Sequence, residues 1–115
     1  MIQSLVIYIR AIESLTAEML VKIDHVCKSM QPSHREHFLL KGVLVTYSEG
    51  CLKDFGGPQA VITAFTEALK SEEVTIGASE GKVIGLLDSL GQFSFGPLGD
   101  VVNTAMQLAV RKQEP

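Results

Sequence analysis

Apolar residues recur every three or four positions through the first thirty residues, and no other feature of the sequence constrains its fold as strongly. The residues that follow this spacing are at positions 2, 5, 6, 9, 12, 15, 19, 20, 23, 26, 27 and 30. That spacing sets apolar side chains along one stripe of an α-helix. It predicts two helices, or one helix bent near residues 14–16, where Ser14 or Thr16 can cap a new helix. A strand over Leu5–Ile9 is the competing interpretation, because Val, Ile and Tyr suit strands.

Helical signals continue along the rest of the chain. Ser33 with Glu36 forms a capping box, and the glycines and proline at 56–58 mark a helix boundary. The helices predicted after residue 32 run from Ser33 to Phe55, Pro58 to Leu69, Glu80 to Leu90, and Asp100 to Val110. We therefore predict an all-α fold, a compact bundle of five or six helices. Residues 1–115 would form a single helical domain, with a frayed polar tail at 113–115.

Three segments keep an alternative α+β fold open, with short strands near residues 4–9, 42–48 and 73–77. The stretch from Gly42 to Gly50 is rich in β-branched residues and has a glycine at each end, which is typical of a strand. The sequence leaves this stretch open between helix and strand.

The chain is apolar for its size. Of its 115 residues, 46% are hydrophobic, and the mean hydropathy is +0.24. A domain this small has much surface to cover, so the excess indicates a surface that meets another chain, a ligand or a lipid. The net charge of −3 argues against broad nucleic-acid binding, which needs clustered Lys and Arg.

Cys27 and Cys51 are too few for a disulfide scaffold. We interpret them as reduced, buried thiols. The first ten residues lack the basic start of a secretory signal, and no stretch is long and apolar enough for a membrane-spanning helix. We therefore expect a cytoplasmic location.

Four residues with zinc-binding side chains lie close together in the sequence: His25, Cys27, His34 and His37. On a helix, His25 and Cys27 would point about 200° apart, so they could not close around one metal ion. The sequence also contains no legible nucleophile–base or acid–base pair. It therefore predicts no metal, no cofactor and no catalytic residue, and we expect a protein that is not an enzyme.

The segment Gly77–Lys82 approaches a phosphate-binding loop but departs from the motif in two places. Three residues separate its glycines where the motif has four, and Val83 follows the lysine where the motif has Ser or Thr. Nucleotide hydrolysis is therefore not expected. A simple anion at a helix N-terminus is the alternative.

Small residues recur every fourth position at Gly77, Gly81, Gly85 and Ser89. They would form a smooth ridge on the helix predicted there. A glycine inside a helix costs about 1 kcal/mol relative to alanine, so something is expected to pack closely on this ridge. Either the last helix folds back onto it, or a neighbouring subunit does.

Residues 89–110 contain a single charge, Asp100, and a loop that carries Phe93 and Phe95. Loops normally run over the surface with polar side chains. The two phenylalanines are therefore either buried in the core beneath the loop or exposed on the surface, where they would bind a partner.

Together these features predict a non-enzymatic protein–protein interaction module, a homodimeric regulator, adaptor or accessory protein. The alternative is binding of a lipid or small apolar ligand through residues 89–110. The residues predicted to bind the partner are Gly81, Gly85, Phe93, Phe95 and Leu98.

Overall fold

The computed structural model describes residues 1–113. Strands and helices follow in this order: β1 (Ile2–Ala11), α1 (Ala17–Ser29), β2 (His34–Phe38), β3 (Gly42–Ser48), α2 (Glu49–Asp54), α3 (Pro58–Ala68), β4 (Val74–Leu87), β5 (Phe93–Leu98) and α4 (Asp100–Arg111). The strands form one antiparallel sheet in the order β2-β3-β1-β4-β5. β1 is therefore the central strand.

The fold is α+β, so the predicted all-α bundle is wrong. The alternative is the one that the structure supports. Its strands near residues 4–9, 42–48 and 73–77 fall within β1, β3 and β4.

The central position of β1 explains why its sequence resembles a helix. Leu5–Ile9 are all buried, because the strand is covered on both faces of the sheet. Its unbroken apolar run then joins the stripe of α1 in one series of three- and four-residue spacings. The predicted cap at Thr16 is confirmed, since its hydroxyl accepts a hydrogen bond from the Met19 N–H at 3.2 Å.

Successive side chains of β1 point to opposite faces of the sheet and enter two separate cores. Leu5, Ile7 and Ile9 pack against α1, α2 and α3. Val6 and Tyr8 pack on the other face, which we call the α4 face because α4 covers it.

Residues 80–90 were predicted to be helical but belong to β4 and the turn that follows it. Gly77 and Gly81 lie beneath α4. A Cβ on Gly77 would overlap the Ala105 carbonyl oxygen, and a Cβ on Gly81 would lie 2.7 Å from a Val101 methyl group. The last helix therefore packs on these glycines from within the same chain, on a strand rather than on a helix.

The helix predicted from Ser33 to Phe55 is also wrong, because β2, β3 and α2 occupy it. Ser33 caps no helix. Its buried hydroxyl accepts a hydrogen bond from the Ser48 N–H at 3.0 Å. The helices predicted at 58–69 and 100–110 are confirmed as α3 and α4.

The C-terminal tail is described only as far as Gln113. Its side chain accepts a hydrogen bond from Arg10 at 3.2 Å and donates one to Thr75 at 3.1 Å. Residues 114–115 of the predicted tail lie outside the described residues.

Candidate functional site

The hairpin of β4 and β5 extends beyond the rest of the sheet. β1 pairs with β4 as far as Ile2 opposite Val83, and from Ile84 onward β4 pairs with β5. We call residues 84–98 the arm.

Hydrogen bonds stabilise the arm at its turn and at the start of β5. The Asp88 carboxylate accepts from the N–H groups of Leu90 at 2.8 Å and Gln92 at 3.0 Å. The Phe93 N–H donates to the Ser33 carbonyl at 2.9 Å. The arm therefore bends towards the start of β2, and the sheet approaches a closed barrel.

One face of the arm is apolar and uncovered. Ile84 pairs with Leu98, and Leu86 pairs with Phe95, so four large apolar side chains lie on one face. Leu86 is 60% exposed and Phe95 is 70% exposed. Leu90 at the turn is also exposed. We call these five residues the arm patch.

The arm patch includes Phe95 and Leu98 from the predicted partner-binding residues. Sequence reasoning missed Ile84, Leu86 and Leu90. In a strand, Ile84 and Leu86 lie two apart and share a face, but the predicted helix assigned this segment a different periodicity.

The other three predicted residues, Gly81, Gly85 and Phe93, contact other residues of the same chain. Gly81 lies beneath α4, as described above. A Cβ on Gly85 would lie 2.8 Å from the Phe93 ring, and that ring makes an edge-on contact with His34 at 6.5 Å between centroids. Their role in binding a partner is not tested by these contacts and stays a prediction.

A cavity of about 320 Å³ lies on the α4 face, near the end of β1 that is remote from the arm. Burial raises the pKa of the Tyr8 hydroxyl, and the nearby Arg10 opposes that shift. Two of the lining residues are arginines, a residue type that donates paired hydrogen bonds to phosphates and carboxylates. The lining residues are Tyr8, Arg10, Met106, Gln107, Val110 and Arg111.

The sequence candidates for other chemistry are scattered. His34 and His37 lie on β2 three residues apart and therefore face opposite sides of the sheet. Cys27 is buried, and burial raises the pKa of its thiol. Within residues 1–113, no three His, Cys, Asp or Glu side chains form a group suited to a metal ion.

The phosphate-loop candidate Gly77–Lys82 lies inside β4 and is continuous strand. It precedes no helix, so the proposed anion at a helix N-terminus has no place there. None of the helices formed by residues 1–113 has the length and apolar character needed to span a bilayer.

Comparison with known proteins identifies a fold and no family. No family model matches the chain, and no curated protein matches it. Among solved structures it is similar to a bacterial light-regulated adenylyl cyclase, with 16% identity over 98% of this chain and 71% of that one, at a TM-score of 0.65. It is also similar to the catalytic core of a rhodopsin-guanylyl cyclase with converted specificity, in complex with ATPαS. Identity there is 14% over 95% of this chain and 72% of that one, at a TM-score of 0.55.

These neighbours overturn the prediction that the chain is not an enzyme. That prediction rested on the absence of a legible catalytic pair in the sequence, whereas the observed fold is similar to that of solved cyclase structures. At 14–16% identity the likeness shows the fold alone, because one fold can carry several functions.

Proposed function

We propose that this protein is a self-associating interaction module, and that two copies meet through their arm patches. The observation that carries the proposal is the uncovered apolar face of the arm. This proposal concerns association and holds whether or not the protein also acts on a nucleotide.

The two faces of the arm differ in what they contact. Phe93 packs one face against the sheet, whereas the other face carries the arm patch and is exposed to solvent. The arm patch exposes an area on the order of 300–600 Å², the range of the largest apolar patch on a typical monomer. A stable interface takes about 800 Å² from each partner, so the patch would form the centre of the interface and polar residues its rim.

The shape of the arm favours face-to-face packing over strand addition. β5 is an edge strand, and Pro97 within it has no N–H to offer a further strand. A two-fold axis would place the same patch of both copies in contact, as in most homodimers.

The test is the solution mass of the wild-type protein and of Phe95→Asp, measured by light scattering over a range of concentrations. We expect a wild-type dimer and at least a 30-fold weaker association of the variant, the effect of removing a central aromatic anchor. Val21→Asp is the matched control, because Val21 on α1 is 68% exposed and lies outside the arm. A monomeric wild type, or equal weakening by both variants, would refute the proposal.

The cellular setting belongs to the same proposal. Cys27 and Cys51 are both free thiols, which supports a reducing compartment such as the cytoplasm.

The cavity beside Tyr8 supports a second candidate, the binding of a purine nucleotide. Two arginines line this cavity, and one neighbour in fold was solved with a nucleotide analogue. Titration calorimetry with ATP and GTP tests it. We expect binding that Arg111→Gln weakens and Lys70→Gln, an exposed lysine on another surface, leaves unchanged.

A further inference from the structure

The turn between β2 and β3 displays two adjacent leucines to solvent. Leu39 is 91% exposed and Leu40 is 68% exposed. The Lys41 N–H donates to the Phe38 carbonyl at 2.9 Å and closes the turn beneath them. This hairpin tip lies at the end of the sheet remote from the arm, because Gly42 pairs with Arg10 near the end of β1.

Leu39 is an unfavourable residue for its own backbone. Its φ is +51°, and it is the one residue other than glycine with positive φ within residues 1–113. Asparagine or glycine would adopt this conformation more readily. Leu39 therefore combines a strained backbone conformation with an exposed apolar side chain. No contact within the turn explains why a leucine stands at this position.

Basic residues surround the hairpin tip. Lys41 follows the leucines, and its ammonium group donates to the carbonyls of Ile12 and Glu13, both at 3.2 Å. Arg10 pairs with the next residue along β3. Arg111 shares a cavity with Arg10.

Basic residues are concentrated at this end of the sheet, although the whole chain carries a net negative charge. Lys112 at the end of α4 donates to the Ile76 carbonyl on β4, where Ile76 pairs with Ile9. Lys41 and Arg10 thus lie beside the tip, and Arg111 and Lys112 lie at the same end of the sheet, where Glu13 and Glu73 contribute backbone carbonyls to the loop. A chain with net charge −3 therefore presents a cationic end that carries exposed leucines.

We infer that this tip docks on an anionic lipid surface, with Leu39 and Leu40 inserted between the headgroups. Basic side chains around an apolar insertion are complementary to acidic headgroups at the boundary with the acyl chains. Two protruding leucines expose far less than the roughly 800 Å² per partner that a stable protein interface takes, so a protein partner fits the tip less well.

The test is co-sedimentation with vesicles of phosphatidylcholine, with and without about one-third phosphatidylserine, near 0.15 M salt. We expect binding to the acidic vesicles and little to the neutral ones. The double variant Leu39→Asn/Leu40→Gln is expected to lose more than tenfold in affinity, because each inserted leucine contributes at least that factor. Asparagine suits a positive φ, so this variant should unfold at the same urea concentration as wild type or a higher one.

A second variant tests the electrostatic part. Arg111→Gln/Lys112→Gln removes two cations and is expected to weaken binding roughly 30-fold at this salt concentration. Phe95→Asp, on the arm, should bind vesicles as wild type does, so this inference and the proposed dimer fail independently.

Three results would overturn the inference. The first is no binding of the wild type to acidic vesicles. The second is unchanged binding by the leucine variant. The third is a leucine variant that loses self-association, which would assign the tip to a protein interface.

Discussion

Replacement of Gly77 by alanine tests the close packing of α4 on the sheet. The added Cβ would overlap the Ala105 carbonyl oxygen and lie 2.5 Å from the Ala109 nitrogen. Both atoms belong to the helix backbone, so neither can move aside as a side chain could. The whole helix must shift, and the contacts of Val6, Tyr8 and Val83 with it must loosen.

The expected cost follows from that geometry. Overpacking a well-packed core costs about 1–3 kcal/mol, and we expect the upper part of this range because backbone atoms are displaced. With roughly 4 °C for each kcal/mol in a domain of this size, the melting temperature should fall by about 8–12 °C. Urea unfolding followed by circular dichroism measures the same loss as a free energy of unfolding.

Gly50→Ala is the matched control for the same chemical change. Gly50 lies in α2, and a Cβ there would meet nothing within 4 Å. Alanine is the better helix former, so this variant should gain about 0.5–1 kcal/mol. If Gly77→Ala unfolds within about 0.5 kcal/mol of wild type, α4 does not pack this closely on Gly77 and the prediction is wrong.

Two further predictions concern buried polar groups. Thr46 is buried, and its hydroxyl has no hydrogen-bond partner among residues 1–113. Thr46→Val should therefore leave the free energy of unfolding unchanged or raise it by about 1 kcal/mol. A fall of more than about 1 kcal/mol would show that the Thr46 hydroxyl does form a stabilising hydrogen bond. Burial raises the pKa of the Tyr47 hydroxyl, which donates to the Met30 carbonyl at 2.6 Å. The unfolded phenol ionises near pH 10 and the folded one at higher pH, so stability is full below about pH 10 and falls above it. In urea titrations at several alkaline pH values, Tyr47→Phe should show a smaller decline with pH than wild type.

Strand β4 shows how a correct pattern led to the wrong type of secondary structure. Gly77, Gly81 and Gly85 recur every fourth residue, and a spacing of four returns to nearly the same side of a helix and to the same face of a strand. The sequence therefore predicted that something would pack closely on Gly77 and Gly81. It could not show whether they lay on a helix or a strand, because both periodicities bring them to one face.

Phe93 and Phe95 illustrate the same limit at the candidate site. The sequence posed two alternatives for the loop that carries them, burial or display, and the structure assigns one residue to each. Phe93 turns towards His34 and the sheet, whereas Phe95 projects from the arm. Residues two apart on a regular strand share a face, but the register shift between Leu86 and Leu87 sets Phe95 opposite Leu86 and Phe93 opposite Leu87, so the two rings point to opposite faces. The sequence does not show that irregularity.

Local signals determined part of this protein without the tertiary structure. The Thr16 cap begins α1, Pro58 begins α3, and α4 begins directly after Gly99. These helix starts depend on hydrogen bonds and backbone preferences within a few residues, so they can be predicted from the local sequence. The nature of β1 was decided by tertiary structure, because a strand buried on both faces loses the alternation that identifies strands. The arm patch was decided there too, since the exposure of Ile84, Leu86 and Phe95 depends on how β4 and β5 pair and on which elements pack over them.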